Sequence, residues 1–524
     1  MLKGLLFITL SEIIKSEKLI ERGKSMYLLG IDIGTSACKA ALFSENGQAV
    51  TQSSKSYPTF HPQNGWVEQN PDDWWNAVCQ AIKEILADRR INPKDILGVG
   101  VDGQSWSAIP LSKDGKVLRN TPIWMDTRAQ DICENLKIIF GEDTFFQLSG
   151  NPLQSTYSLP KVLWYREHLP ELYCQTDKIL QSNSYIVYKM TGAVTQDISQ
   201  GYGYQCFDMR KGLWDFNLCK ELNLRKELLP EIVACDEIVG HITKEASQQT
   251  GLPIGLPVVA GGLDSACGAL GAGVIANGET QEQGGQAGGM SICTEDYHAD
   301  KQLILSYHVT SNKWLLQGGT VGGGGVLKWF EEQFCHEERQ KSLKNKHSSF
   351  EEMTQLAEKI EPGSEGVVFL PYMAGERSPI WNPKAKGVYY GLDFSKTKAH
   401  MIRASMEGVA FSLKHNLDVA EKSGVEVKCL RAMGGSANSW LWTQIKSDIT
   451  NKPIDVPNSD TATTLGAAML AGVAIGLYKD YTDAVAKTVN IRRKHVPNEV
   501  NRAVYEQNYD MYLGIYKQLK EMMK

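Results

Sequence analysis

The sequence predicts an α/β protein of two domains, and three observations carry that prediction. At 524 residues the chain is too long for one hydrophobic core. Gly251 to Pro257 packs two Pro and two Gly into seven residues, the clearest boundary signal in the chain. Each half then holds an apolar strand, a small-residue turn and an acid, a weak internal duplication.

Bulk properties exclude several function classes. Hydrophobic residues at 42% and charged residues at 22% are those of an ordinary globular protein. A net charge of -5 offers no electrostatic footprint for nucleic acid or an anionic membrane surface. No apolar run approaches the ~18–20 residues of a membrane span. Eleven scattered cysteines, without C-x-x-C or Cys/His ligand spacing, point to a reducing, cytoplasmic setting. Residues 1–25 begin like a signal peptide, but charged helix formers follow the short apolar core Gly4 to Leu10. They are read as a leader or over-called start and excluded from the fold.

The first strand, Met26 to Asp32, is apolar and ends on an acid. Gly34-Thr35-Ser36 then makes a tight turn, with Lys39 on the next strand and Asn46-Gly47 as a hairpin signal. Backbone N–H groups and hydroxyls of such a turn can cradle an anion; an ordinary β-turn is the plain alternative. Asn70-Pro71-Asp72-Asp73 opens a helix whose Trp74, Val78, Ala81, Ile82 and Ile85 share one face. Trp66, in the loop before it, stacks on a sugar or merely packs.

Ile96 to Val101 forms a further strand, leading into Asp102-Gly103-Gln104-Ser105-Trp106. The letters GVGVDG at 98–103 imitate a dinucleotide fingerprint, but the glycines lie inside the strand and no helix opens after the first. That reading is rejected. Asp126 and Arg128, two apart, suit polyol recognition or an internal ion pair equally.

In the second half, Val258 to Ala260 is a buried strand ending on glycines, and Asp264 stands at the start of a small-residue helix. Taken alone, Asp264 reads as a helix N-cap. Gly284 to Gly289 makes a second glycine turn after the polar strand Glu279 to Gln283. The four glycines 322–325 precede an amphipathic helix, and Gly434-Gly435-Ser436-Ala437-Asn438 precedes another. Glycines at a helix start permit close phosphate approach.

Several glycine turns, separated acids, no nucleophile–base motif and no metal cage suggest phosphate handling by backbone and Mg2+. At this point the chain resembles the FGGY family of carbohydrate kinases over nearly all of residues 26–480. Gly387-Val388-Tyr389-Tyr390-Gly391-Leu392, followed after seven residues by His400 to Glu407, fits the family's C-terminal signature. Ser158 to Trp164 resembles its N-terminal signature. The resemblance implies two actin-like (ribonuclease-H-fold) domains around an inter-domain cleft. It implies a sugar-binding domain at 26–252, an ATP-binding domain at 257–480 and a C-terminal helical extension at 481–524.

It also implies roles. Asp264 matches the catalytic base, which takes the proton of the attacking hydroxyl. Asp32 matches the acid associated with Mg2+, and Gly34, Thr35, Ser36 and Lys39 the first phosphate turn. Gly285, Gln286, Gly323, Gly324, Gly434, Gly435 and Asn438 fall where the family holds ATP. Gln104, Ser105, Trp106, Asp126, Arg128 and Trp66 are the expected acceptor-binding residues.

Two departures from the family pattern stand out. Gln286 occupies a turn position that is usually Thr, and Ser105-Trp106 replaces the Met-His of xylulokinases. The expected activity is ATP-dependent phosphorylation of a terminal hydroxyl of a ketopentose, D-xylulose first. Gluconate, erythritol, L-xylulose and ribulose are alternatives, and a non-catalytic ATP/sugar sensor is the alternative outside catalysis. The sequence does not fix the oligomeric state and leaves a homodimer open.

Overall fold

The computed structural model describes residues 25–458 and 461–523. The expected leader therefore lies, but for Ser25, outside the described residues. The chain forms two compact units, the first from residues up to Ile275 with Ser306–Trp314 and Thr461–Val489. The second comprises Ala276–Leu305, residues from Leu315 to the described end near 458, and those from Asn490 onward.

The first unit is built on a seven-stranded sheet. Its order is Ile238–His241, Pro257–Val259, Ile96–Gly103, Tyr27–Ile33, Ala37–Ser44 and Ala49–Ser56, with Gly262–Leu263 also paired to Ile96–Gly103. Tyr27–Ile33, Pro257–Val259 and Gly262–Leu263 each run parallel to Ile96–Gly103, and the Tyr27 to Ser56 segment is an antiparallel meander. The two central strands are buried along nearly their whole length, which is why they read as apolar runs without alternation.

Helix Pro71–Leu86 forms as its sequence dictates. The Asn70 side chain accepts from the Asp72 N–H, Pro71 sits in the first turn, and Trp74, Val78, Ala81, Ile82 and Ile85 are buried. A second helix, Ala462–Ala474, lies against strand backbone. A Cβ on Gly30 would fall 1.9 Å from the Thr464 carbonyl oxygen, and one on Gly100 1.9 Å from that of Ala467. The same closeness joins this helix to Asp264–Gly271, where a Cβ on Gly466 would meet the Cys267 oxygen at 1.9 Å. The glycines inside the 98–103 segment thus serve helix–sheet packing and not dinucleotide binding.

Residues 257–275 and 461–489, expected in the second domain and its extension, pack with the first unit. The small residues of Ala462–Ala474 fit only where strand backbone is bare of side chains. Their tertiary destination cannot be read from helix periodicity.

The second unit repeats the arrangement. Its seven-stranded sheet has the order Ile304–Tyr307, Trp314–Thr320, Gly288–Thr294, Glu279–Gly284, Cys429–Met433, Ile454–Pro457 and Ile491–His495. Glu279–Gly284 and Gly288–Thr294 form an antiparallel hairpin, and Glu279–Gly284 runs parallel to Cys429–Met433. Ile491–His495 pairs with Ile454–Pro457, so this part of the expected extension is a sheet edge instead of an appendage.

The long helix Lys398–Lys422 carries the C-terminal signature, and its charges are structural. The Arg403 Nε donates to Glu407 at 2.9 Å, and Glu407 also accepts from the Gly363 N–H and the Ser364 hydroxyl. Arg403 further donates to the Tyr505 hydroxyl of helix Arg502–Leu519, tying that helix to the core.

Candidate active site

Parallel pairing sets the acids of the first unit side by side. Asp32 and Asp102 are register partners on Tyr27–Ile33 and Ile96–Gly103, and Gly262, two residues before Asp264, is also in register with Asp102. Three carboxyls therefore stand at the C-terminal ends of neighbouring strands. Such ends are where open α/β sheets place ligands.

Asp264 is not the N-cap that the sequence alone suggests. Leu263 takes the cap position with extended φ and ψ, and Asp264 is the first helical residue. Its Oδ1 accepts the Ser265 N–H at 2.6 Å. The side chain keeps partial solvent contact, yet dense surroundings and the Asp32 charge raise its carboxyl to about 7. A base of that strength is matched to taking a proton near neutral pH.

Asp102 is the residue that sequence reasoning missed. It is fully buried, and neither carboxyl oxygen receives a hydrogen bond from a donor among the described residues. Burial, then Asp32, then Asp264 push its carboxyl well above the usual carboxylate range, and its register partner is Asp32. Burial also raises Asp32, opposed by the ammonium of Lys39, its register partner on Ala37–Ser44. The signal for Asp102 was its place at a strand end, which the false dinucleotide fingerprint obscured.

The first glycine turn is knitted to its surroundings. The Tyr57 hydroxyl donates to the Gly34 carbonyl, Trp124 Nε1 donates to Thr35 Oγ1 at 3.0 Å, and Ser36 is exposed. Gln69, also unforeseen, joins this turn to the acceptor loop. Its Nε2 donates to the Thr35 carbonyl at 2.7 Å, and its Oε1 accepts from Gln104 Nε2 at 2.8 Å.

The loop Gln104-Ser105-Trp106 is held from every side. The Gln104 carbonyl accepts from the Ser182 hydroxyl, the Trp106 N–H donates to Gln181, and the Trp106 carbonyl accepts from Lys161 Nζ. Trp106 adopts φ 62, a left-handed conformation uncommon for so bulky a residue. It persists because this net over-determines it. The Trp106 ring meets Tyr157 edge-on at 4.5 Å and Tyr202 at 6.1 Å. Gln104 Oε1, Ser107 Oγ and the Tyr157 hydroxyl are buried without hydrogen-bond partners among the described residues.

Lys161, from the N-terminal signature, is wholly buried and donates to the carbonyls of Trp106, Ile123 and Thr156 at 2.9, 2.7 and 2.6 Å. Three acceptors match the three hydrogens of an ammonium, although burial draws its pKa down to about 7.

Asp126, Arg128 and Trp66 are brought together, but chiefly by one another. Asp126 is fully buried, and its oxygens accept from the Val67 N–H at 2.7 Å and from Arg128 at 2.8 and 2.9 Å. The Arg128 guanidinium also pairs with Glu68 and lies 3.9 Å over the Trp66 ring. This is the internal ion pair that the sequence left open. It engages both oxygens of Asp126 and covers one face of Trp66.

In the second unit, a cavity of about 910 Å3 opens among the glycine turns. Gly285, Gln286, Gly324, Gly435 and Asn438 line it, with Leu327, Phe350 and Trp440 giving it apolar wall. Gly323 and Gly434 stand just behind that lining. A Cβ on Gly323 would sit 2.4 Å from the Ala287 carbonyl carbon, and Gly434 has φ 82. The N–H groups of Gly324 and Gly325 donate to the carbonyls of Gly285 and Gln286 at 2.7 and 3.0 Å. Asn438 Oδ1 accepts from Arg492 at 2.6 Å. A cavity of this size with apolar walls and backbone-rich turns suits a nucleotide.

Among the described residues no cluster of three or more His, Cys, Asp or Glu is arranged to hold a metal ion. No helix among the described residues is long and apolar enough to cross a membrane.

Comparison with known proteins bears on this geometry. Residues 27–271 match the N-terminal domain, and residues 289–475 the C-terminal domain, of the FGGY family of carbohydrate kinases. A xylulose kinase of Bacillus subtilis (strain 168) is 30% identical over 95% of this chain and 98% of its own length. A gluconokinase of the same organism is 29% identical over 94% of this chain and 96% of its own. The crystal structure of a ligand-bound xylulose kinase from Lactobacillus acidophilus superposes with a TM-score of 0.86 at 26% identity, covering 94% of this chain and 98% of that one.

Proposed function

Because the chain belongs to the FGGY family of carbohydrate kinases, an ATP-dependent sugar kinase with two actin-like domains, we propose that it phosphorylates a terminal hydroxyl of an uncharged ketopentose, D-xylulose first. The observation that carries this reading is the acid group Asp32, Asp102 and Asp264 at three adjacent strand ends.

Asp264 takes the proton of the acceptor hydroxyl as that oxygen forms its bond to the γ-phosphorus. The bond from that phosphorus to the β,γ-bridging oxygen breaks, and ADP leaves. Asp32 would hold Mg2+, whose charge neutralises the phosphate oxygens when bound. Gly34, Thr35, Ser36 and Lys39 present N–H, hydroxyl and ammonium donors to phosphate. Gly285, Gln286, Gly324, Gly435 and Asn438 line the ATP cavity, with Gly323 and Gly434 shaping its turns. Gln104, Ser105 and Trp106 contact the acceptor, with Arg128, Asp126 and Trp66 as the rigid support behind them. The free thiols of all eleven cysteines suit a cytoplasmic enzyme.

Gluconate is the second reading, favoured by the gluconokinase relative. The xylulose kinase of Bacillus subtilis, 30% identical over 95% of this chain, supports the pentulose first. An ADP-coupled assay across D-xylulose, L-xylulose, ribulose, erythritol and gluconate decides the matter. The reading expects the highest kcat/KM on a pentulose; a preference for gluconate or erythritol would overturn it.

A further inference from the structure

Beneath the nucleotide cavity lies a charged group that no step of the reaction uses. Lys446 and Glu282 are 1% and 4% exposed, and Lys446 Nζ donates to Glu282 Oε1 at 2.6 Å. The same ammonium donates to the Ser436 hydroxyl at 2.7 Å. Its Nζ also stands 5.0 Å from the ring centre of Trp442.

Three elements that wall the cavity meet at this ammonium. Glu282 belongs to strand Glu279–Gly284, which runs into the turn bearing Gly285 and Gln286. Ser436 belongs to the short turn Gly435–Asn438, and Lys446 to helix Trp440–Thr450. Ser436, Trp440 and Trp442 themselves line the cavity. The fit is tight, since a Cβ on Gly284 would lie 1.6 Å from Ser436 Oγ. Strand end and turn therefore cannot shift against each other while the hydroxyl stays on Lys446.

A buried ion pair is weak evidence for stability, because apolar residues of similar volume serve as well or better. What an apolar pair cannot do is grip a hydroxyl on a neighbouring turn. We infer that Lys446, balanced by Glu282 and acting through Ser436, is a positioning residue that fixes the 434–438 turn for the nucleotide. The ammonium touches no reacting atom. It sets the separation between the 285–288 turn and the 434–438 turn, hence the width of the cavity that ATP must fill.

The inference rests on the kinase reading above, and its test keeps the two apart. Ser436→Ala removes only the grip, and the double variant Lys446→Met, Glu282→Leu removes the charges together, so none is stranded. Calorimetry with MgADP, steady-state KM for ATP and for the acceptor, and thermal unfolding are measured on each. The expected result is a normal unfolding midpoint with ADP affinity weakened about tenfold, the scale of one lost hydrogen bond to a charged group. KM for ATP should rise in step while KM for the acceptor stays at the wild-type value. Ser436→Ala keeps the test open if the double variant does not fold. Folded variants with unchanged ADP affinity and unchanged KM for ATP would overturn the inference alone. A wild-type protein that neither binds ADP nor turns over any sugar would remove the kinase reading and this inference with it.

Discussion

The two units share one arrangement and treat their acids differently. Each has a hairpin whose first strand runs parallel to a later strand and whose turn contains glycine. In the first unit the register sets Asp32 beside Asp102. At the corresponding place in the second, Glu282 lies opposite Ala432 and Gln283 opposite Met433. Glu282 is neutralised by Lys446 within 2.6 Å, whereas the cation set against Asp32 and Asp102 is the exposed Lys39. One unit gathers carboxyls at its strand ends. The other pairs its acid with an ammonium beneath its cavity. Topology supplies the place, and the residue at one register position decides the chemistry.

That contrast can be broken experimentally, beginning with the largest effect. Asp264→Asn should lower turnover by about 1,000-fold, the middle of the range for a general base. MgADP binding, proposed for the second unit, should be unaffected in calorimetry. Loss of both together would mean that the two functions are not divided as described. Next, Gly100→Ala drives a methyl into the Ala467 carbonyl, and should cost about 1–3 kcal/mol of stability in denaturant unfolding. A neutral result would show that helix Ala462–Ala474 is not seated on the first unit's strands.

The pH profile sharpens the same comparison. With Asp264 raised to about 7, the base is protonated and idle below that pH and ionised above it. The acceptor kcat/KM should therefore fall about tenfold per unit below the pKa and level off above it. A flat profile from pH 5 to 8 would contradict that assignment. The smallest effect belongs to Asp102→Asn. If Asp102 is protonated, the near-isosteric amide should leave kcat within about threefold, in line with a neutral-for-neutral exchange. A large loss in the same assay would show that Asp102 works as an anion.

Much of this was legible in the sequence. Asn70-Pro71 announced its helix, alternation was absent from strands buried on both faces, and glycine turns marked the wall of the second unit's cavity. What stayed hidden depended on register and long-range packing. Asp102 gains meaning only from Asp32 across the sheet, 70 positions away. Lys446 reads as one more surface lysine until Glu282, 164 positions before it, closes on it. Asp126 and Arg128 illustrate the reverse case, where two equal readings were separated by burial. Small-residue helix Ala462–Ala474 carried no mark of which sheet it would join.

Acceptor binding in the first unit and nucleotide binding in the second, as proposed, would leave separate footprints on the chain. Amide hydrogen exchange with MgADP and with D-xylulose, each alone, tests this division most directly. MgADP should protect segments 284–288, 323–325 and 434–439, and D-xylulose should protect segment 103–107 together with the residues around Tyr157 and Tyr202. Protection of segment 103–107 by MgADP alone, with the glycine turns of the second unit left unprotected, would contradict the account.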